Sequence, residues 1–225
     1  MKRQNLLTWL SFLLIVALVL AGCEKKATTE PDTTTPPIIP TVRFSSPSAS
    51  GDQCTQMAYT YVQGANAMSV YTMMFAGQTP TRNGDIWTWQ AVQGSLTVRV
   101  TATITSTGLQ WQMILNGTDP DDGTVYNNWV ALQGTSSADG KSGSWTIYED
   151  NTTVIAAQFV WSTSSAGVLT GTFTGYDQGQ QSYRLVAVSN ANGSGSVTYS
   201  MYSNGQWVQQ FNATWSAANG PATCS

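Results

Sequence analysis

Hydrophobic and polar residues alternate along most of the chain after residue 80. In SLTVRVTATIT, residues 95–105, every second residue from Leu96 to Ile104 is apolar, and the residues between them are Thr or Arg. Because successive side chains of a β-strand point to opposite faces, this period of two predicts an antiparallel strand with one buried face. The segment LQWQMIL, residues 109–115, continues the same alternation.

Turn-forming residues divide this region into about ten such segments. The turn signals are Ser106-Thr107-Gly108, Asp122-Gly123, Asp139-Gly140, Asn192-Gly193 and Asn204-Gly205. The predicted strands are 86–92, 96–105, 109–115, 124–132, 143–148, 154–162, 168–176, 182–189, 197–202 and 206–216. They predict a mainly β fold, an antiparallel up-and-down meander that is curled or barrel-like, because a long meander has to hide its edges.

The segment before the first strand has a different period. Its apolar residues, from Cys54 to Phe75, recur at spacings of three and four, which is the pattern of one helical face. Asp52 is a candidate N-cap. We therefore predict a helix over residues 55–76 that packs against the curled sheet. A strand over 59–62, which is aromatic and β-branched, is the alternative.

The meander repeats a short motif. LNGTDPDDG at 115–123 and LQGTSSADG at 132–140 share Leu-x-Gly-Thr-x-x-x-Asp-Gly, and LTGT recurs at 169–172. A repeated strand-and-turn unit accounts for these matches as structure. It also accounts for Gly-Lys-Ser at 140–142, because Gly134 is one residue too distant for a phosphate-binding loop and a strand, not a helix, follows.

The first 23 residues resemble an export signal. A basic start precedes an apolar core at 10–20, and small residues lead to Cys23. The ending LAGC resembles the lipobox of bacterial lipoproteins. The resemblance implies a signal peptide over 1–22, a lipid-modified, palmitate-bearing Cys23 in contact with the bilayer, and, with Glu24 in place of Asp, the outer membrane. An uncleaved anchor is the alternative, although the apolar run is short for a bilayer span.

Residues 23–50 are rich in Thr, Ser and Pro. Such composition predicts a flexible or polyproline-like tether without a core of its own. The predicted organisation is therefore a signal peptide over 1–22, a tether over 23–50 and a single β-meander domain over 51–225. The last segment is long enough to bury a core.

Charge is sparse, and cysteines are few. The chain has nine Lys and Arg against twelve Asp and Glu, a formal net charge of −3. It has no basic patch, so we expect no nucleic-acid partner. Cys54 and Cys224 stand at the two ends of the predicted domain, and an exported chain folds where disulfides form, so we predict a bond between them. A metal or nucleophile role for these thiols lacks a supporting His.

No catalytic arrangement is evident in the sequence. The chain contains no His, which removes the commonest general base and excludes a Ser-His-Asp triad. Glu149 and Asp150 are adjacent and point to opposite faces of a strand, whereas a glycosidase needs two carboxylates that converge. Ser–Lys catalysis would depend on Lys141 alone. We expect no enzymatic activity and no cofactor.

Two small groups of residues are candidate binding sites. Asp119, Asp121 and Asp122 place oxygen ligands suited to calcium on one loop, although the same composition is typical of an ordinary turn. Trp87 and Trp89 share one face of a predicted strand. If exposed they form a platform for a sugar ring or a peptide, and if buried they belong to the core.

These features predict a lipid-anchored protein of the bacterial cell envelope, with a non-enzymatic domain for binding or surface display. The body resembles uncharacterised β-rich envelope lipoproteins. Its predicted architecture is similar to lipocalin-like and avidin-like meander barrels, an analogy that carries no function. The first alternative is a lipocalin-like carrier of a small hydrophobic ligand. A carbohydrate-binding module or a glycoside hydrolase is the next, and the ligand class (hydrophobic, sugar or protein) stays open.

Overall fold

The computed structural model describes residues 35–67, 75 and 78–225. One helix, α1 (Gln53–Ala67), precedes twelve strands. The strands are β1 (Thr81–Asn83), β2 (Ile86–Gln93), β3 (Leu96–Thr105), β4 (Gly108–Thr118), β5 (Val125–Ser136), β6 (Ser142–Tyr148), β7 (Ile155–Thr163), β8 (Leu169–Asp177), β9 (Gln180–Ser189), β10 (Gly195–Ser203), β11 (Gln206–Trp215) and β12 (Ala222–Cys224). The predicted signal peptide and Cys23 lie outside the described residues.

All twelve strands form one antiparallel sheet in which each strand pairs with its neighbours in chain order. The predicted up-and-down meander is therefore confirmed, and the ten predicted strands correspond to β2–β11. Two three-residue strands, β1 and β12, are added at the edges. Within the described residues no ladder joins β1 to β12, so the sheet is open and the closed barrel is not formed.

The alternation in the sequence sorts the side chains onto two faces. In β3, Leu96, Val98, Val100 and Ala102 are buried, and the Thr and Arg residues between them are more exposed. The register of the strands places buried residues opposite buried residues, as Trp89 of β2 lies opposite Val100 of β3. We call the face with the buried residues the inner face and the opposite one the outer face. The inner face and the elements packed on it form a single core.

Glycines on the inner face make room for large aromatic rings. Gly143 lies opposite Trp161, and a Cβ on Gly143 would lie 2.4 Å from that ring. The Trp161 indole N–H donates to the carbonyl of Gly140 in the β5–β6 turn (3.1 Å). Trp215 does the same to Gly193 in the β9–β10 turn (3.2 Å). Trp161 and Trp215 therefore play the same part, since each indole N–H holds a hairpin turn two strands' length away in the chain.

The helix begins where the sequence predicts a cap. The Asp52 carboxylate accepts a hydrogen bond from the Thr55 N–H (2.8 Å), as an N-cap does, and this bond lowers the pKa of Asp52. The helix starts at Gln53, two residues before the predicted start, and it includes residues 59–62, so the alternative of a strand there is wrong. Most of the predicted continuation to residue 76 lies outside the described residues.

Small buried residues let α1 approach β9–β12 closely. Its buried residues are Thr55, Ala58, Val62 and Ala65. The Tyr61 ring stacks on Tyr199 with 5.0 Å between ring centres. The predicted pair Cys54 and Cys224 is bonded, with 5.9 Å between the Cα atoms, so the helix is joined covalently to β12.

Residues 40–48, which we call the strap, correct the predicted tether. The sequence predicts flexibility up to residue 50, but Pro40, Val42, Phe44 and Pro47 are buried. A Cβ on Gly171 of β8 would lie 2.3 Å from the Phe44 ring, so the ring occupies the place that this glycine leaves open. The packed part of the chain therefore begins about ten residues earlier than composition suggests.

Hydrogen bonds hold the strap along its length. The amide side chain of Asn66 in α1 accepts from the Phe44 N–H (2.7 Å) and donates to the Phe44 carbonyl (3.0 Å). Ser45 N–H donates to the Ser189 hydroxyl (2.7 Å), and Ser48 N–H donates to the Gly220 carbonyl (2.8 Å). These bonds pair three backbone N–H groups of the strap with the helix, with β9 and with the segment before β12.

Candidate functional site

The inner face leaves little room for a ligand. The apolar cavity lined by Ile39, Phe75, Val100, Trp111 and Trp145, among others, has a volume of about 20 Å³. That volume is comparable to the space needed for one water molecule, whereas pockets for small molecules measure about 300–1,000 Å³. In the described part of the chain this cavity does not support the carrier interpretation, because a hydrophobic ligand does not fit in it.

Trp87 and Trp89 belong to the core. Their side chains are only 4% and 3% exposed, and the Trp89 ring packs against Trp111 with 5.9 Å between centres. The Arg82 guanidinium lies 5.5 Å from the centre of the Trp87 ring. Of the two alternatives that the sequence left open, the structure therefore shows burial in the core and not an exposed platform. Both residues follow the inner-face alternation of β2, which was the sequence signal for burial.

The carboxylates considered as calcium ligands stabilise their own turn. Asp119 Oδ1 accepts from the Asp121 N–H (2.9 Å), and Asp122 Oδ1 accepts from the Thr124 N–H (2.8 Å). Asp119 is 4% exposed, and burial, with the neighbouring carboxylates, raises its pKa. Across residues 35–67, 75 and 78–225, no three acidic, Cys or His side chains converge as metal ligands. The ordinary-turn interpretation accounts for Asp119, Asp121 and Asp122.

The stretch around Lys141 is a hairpin turn between β5 and β6. Asp139 accepts from the Ser137 hydroxyl (2.7 Å) and from the Lys141 N–H (3.1 Å), and these bonds lower the pKa of Asp139. The Lys141 ammonium lies 3.6 Å from the same carboxylate, and both side chains are exposed. Such a pair contributes little to stability. The Gly-Lys-Ser sequence has a structural role here.

The outer face carries ladders that consist mainly of uncharged polar side chains, with two valines in the second ladder. One ladder crosses β2–β8 through directly opposed residues. It consists of Thr88, Thr101, Gln112, Gln133, Thr146, Gln158 and Thr174. A second ladder runs beside it from β3 to β11. It consists of Thr103, Gln110, Thr135, Ser144, Val160, Thr172, Val186, Thr198 and Asn212. With neighbouring strands about 4.8 Å apart, the first ladder spans about 30 Å.

Charge is nearly absent from the outer face. In β2–β11 the charged side chains are Arg99, Asp177 and Arg184. Both arginines lie on the outer face, because their directly opposed residues, such as Thr174 for Arg184, belong to it. The Nε atoms of both are buried and have no hydrogen-bond partner in the described part of the chain. The ladders therefore carry isolated positive charges on a neutral background.

Carboxylates collect at one end of the sheet instead, which we call the acidic end. A meander returns to the same end at every second turn, so the β4–β5, β6–β7 and β8–β9 turns lie together. They carry, within or beside them, Asp119, Asp121, Asp122, Glu149, Asp150 and Asp177. Contacts confirm that the first two are neighbours, since Asn151 Nδ2 donates to the Val125 carbonyl (3.0 Å). The acidic end and the outer face thus differ in the sign of their charge.

No described helix has both the length and the apolar character needed to cross a membrane. The chain matches no family model, no curated protein and no solved structure. What the protein does must therefore be argued from its residues and from the two faces of its sheet.

Proposed function

We propose that this protein is a lipid-anchored component of the bacterial cell envelope whose β-domain binds its ligand on the outer face and has no catalytic role. The observation that carries the proposal is the contrast between the two faces of the sheet. The inner face is packed with aromatic side chains, and the outer face presents ordered rows of hydroxyl and amide groups. Such rows can make many hydrogen bonds without an ionisable group.

The anchor in this proposal is Cys23, on the strength of the LAGC ending. Because the strap is packed from residue 40, residues 24–39 form the connection between lipid and domain. A polyproline-like chain rises about 3.1 Å per residue, so this connection reaches about 50 Å at most. The domain is then held near the outer membrane, with its outer face available to ligands in the envelope or at the cell surface.

The arrangement of ionisable groups supports a binding role. The chain has no His, and its carboxylates lie at turns, where several of them accept backbone N–H bonds. A hydrolase needs two carboxylates that converge across a cleft. The outer-face ladders offer recognition groups and no group able to transfer protons near neutral pH.

Membrane fractionation of the producing cells tests the anchor. We expect the wild-type chain to enter the detergent phase and to incorporate labelled palmitate, and we expect Cys23→Ala to incorporate none and to keep its uncleaved apolar segment. Globomycin, which inhibits the lipoprotein signal peptidase, should block processing of the wild type. Palmitate incorporation into both chains, or into neither, would overturn the lipid anchor at Cys23.

Binding to purified envelope polysaccharide and protein fractions tests the outer face. The variant Gln112→Ala, Gln133→Ala removes two neighbouring rungs of the first ladder and leaves the core intact. We expect this variant to melt like the wild type and to bind the envelope fraction more weakly. Native mass spectrometry should show the lipidated chain without a further small molecule. A retained hydrophobic ligand would favour the carrier alternative instead.

A further inference from the structure

The outer face changes character where the ladders reach β9–β11. Trp207, on β11, is the one tryptophan of the described chain that is not buried. The Arg184 guanidinium lies 4.5 Å from the centre of the Trp207 ring. The ring of Tyr202, which is 40% exposed, meets the Trp207 ring edge-on at 5.0 Å. These three side chains, which we call the Arg184 cluster, combine a positive charge with accessible aromatic surface.

The Arg184 guanidinium has an N–H donor that is not paired within this cluster. An arginine side chain carries five N–H donors, and leaving a buried one unpaired is unfavourable. Arg184 Nε is buried without an acceptor, and no described carboxylate forms an ion pair with this residue. Its neighbours across the ladders, Thr174 and Ser200, are neutral. The cluster thus presents a guanidinium that nothing in the described chain neutralises.

The aromatic ring fixes this guanidinium in advance of binding. Stacking on a tryptophan restrains the planar group and keeps its fork directed away from the ring, so less side-chain entropy is lost on binding. The β10–β11 ladder is irregular between Tyr199 and Ser200, directly beside Arg184, and such bulges re-aim side chains next to functional sites. The Trp207 ring and the irregular backbone of β10–β11 therefore both fix the position of the Arg184 guanidinium.

Arg99 is a second arginine of the outer face, and it is not part of such a cluster. It also lies on the outer face with a buried, unpartnered Nε. Its opposed residues are Gln90 and Ile114, and it has no aromatic ring beneath it among the described residues. Arg99 shares the charge and the missing acceptor with Arg184 but lacks the restraint. It is a matched control for experiments on Arg184.

We propose that the Arg184 cluster binds the carboxylate of an acidic polysaccharide. A guanidinium donates two parallel hydrogen bonds to a carboxylate, which is stronger and more specific than a point-charge contact. The exposed Tyr202 ring offers a flat apolar surface for the face of a sugar ring. From Arg184 the first ladder continues through Thr174 and Gln158, whose groups suit the neutral hydroxyls of further sugar units.

The surroundings favour a polysaccharide over a peptide. A peptide that adds to a sheet needs a free strand edge and pockets for alternate side chains. The edge of β11 is interrupted by the bulge, and the Gln210 amide already donates to the Val208 carbonyl (3.3 Å). The ladders provide hydrogen-bonding groups without apolar pockets. This inference rests on the proposed function, since it names the ligand class of the outer face.

Titration calorimetry with the mature, lipidated chain in detergent tests the cluster. The probes are an oligogalacturonate of about six units and its methyl ester, which has the same sugars and no charge. We expect the acid to bind, and the ester to bind at least about tenfold more weakly. Arg184→Gln should weaken binding of the acid about 10- to 100-fold, as loss of a charge-assisted pair does. Arg99→Gln should bind like the wild type.

Two further variants separate recognition from structure. Arg184→Lys keeps the charge above Trp207 and loses the fork, so we expect an intermediate affinity. Trp207→Leu removes the restraint and should weaken the acid more than the ester. Thermal unfolding of each variant is measured alongside. If Arg184→Gln or Trp207→Leu unfolds at a lower temperature than the wild type, Arg184→Lys takes its place in the comparison, because it retains the cation above the ring.

Several outcomes overturn the inference. They are an ester that binds as tightly as the acid, equal losses in Arg184→Gln and Arg99→Gln, no binding of the acid at millimolar concentration, or a peptide with a free carboxyl terminus that competes better than the oligouronate. If one of these outcomes is found and the Gln112→Ala, Gln133→Ala variant still binds envelope material more weakly, the outer face remains the proposed binding surface and only the Arg184 site is refuted. A Cys23→Ala chain that still incorporates palmitate refutes the anchor at Cys23, and the Arg184 result is then judged by itself.

Discussion

The same strands form both faces of this sheet, but the inner face builds the core and the outer face is accessible. In β7 the inner-face residues Phe159 and Trp161 are buried, whereas on the outer face Gln158 is half-buried and Val160 is exposed. The inner face gathers seven of the eight tryptophans that follow Cys23. The eighth, Trp207, lies outside beneath an arginine. In a protein that buries its other described tryptophans so consistently, the half-buried Trp207 is the informative one. Four experiments test whether the two faces differ as described.

The largest effect should come from the covalent link on the inner side. Cys54 and Cys224 close a loop of 170 residues, and on the loop-entropy model such a bond stabilises the fold by about 5 kcal/mol. We expect the double variant Cys54→Ala, Cys224→Ala to lose a large part of this free energy of unfolding. Denaturant titration with and without a reducing agent measures it. The variant itself should not respond to the reductant.

The strap should be nearly as sensitive. Phe44→Ala removes a buried ring between α1 and β8, and we expect a loss of about 3–5 kcal/mol in the free energy of unfolding. Ile38→Ala is the control, because Ile38 is 61% exposed and lies just before the strap. Equal stability of the two variants would restore the flexible tether predicted from composition. Chemical denaturation followed by tryptophan fluorescence makes the comparison.

Alkaline pH should weaken the inner side by a smaller amount. Burial raises the pKa of Tyr61, Tyr126 and Tyr183, and for Tyr126 the Asp150 carboxylate adds to the shift. An unfolded tyrosine ionises near about pH 10. Because the folded pKa is the higher one, the contribution of these residues is complete below about pH 10 and is lost as pH rises further.

Unfolding curves between about pH 8 and 12, combined with tyrosinate absorbance, check this. Tyr126→Phe should flatten part of the decline, since Phe cannot ionise. If the wild type forms more tyrosinate than Tyr126→Phe near about pH 10 while both chains stay folded, Tyr126 ionises there and its buried position is contradicted.

The smallest effect is expected on the outer face. Thr101→Ala and Thr172→Ala each remove one ladder hydroxyl, and we expect changes within about 0.5 kcal/mol, as at most exposed sites. Thermal unfolding measures it. A loss above about 2 kcal/mol would show that the ladders stabilise the sheet, and it would weaken the argument that they exist for binding.

The alternation of residues was sufficient to predict the meander. Side chains such as Leu96 and Trp111 are buried because their strands pair in register with neighbours of the same period. The strands β1 and β12 were missed because three residues carry no detectable period. The strap was missed for a related reason. Its Pro and Ser content is typical of a linker, and only the position of Gly171 shows that Phe44 has a place to pack.

The Arg184 cluster could not be found from the sequence. Arg184 and Trp207 are 23 residues apart, and they meet only because β10 lies between their strands in a register altered by a bulge. No neighbouring residue in the sequence distinguishes Arg184 or Trp207, whereas Trp87 and Trp89 form a recognisable pair because they are two residues apart. Spacing along the chain detects sites within one strand or turn. Sites that cross strands depend on register, which only the folded sheet supplies.

The bond between Cys54 and Cys224 also determines how the domain carries load. A stretching force between the two ends of the chain passes from one sulfur to the other and bypasses everything enclosed between them. Of the described residues, the pull can lengthen only those before Cys54, about 19 residues, and fully extended these measure about 65 Å. Once the strap has detached from β8 and β9, it lengthens in series with the connection to the lipid, and the sheet enclosed by the disulfide keeps its shape.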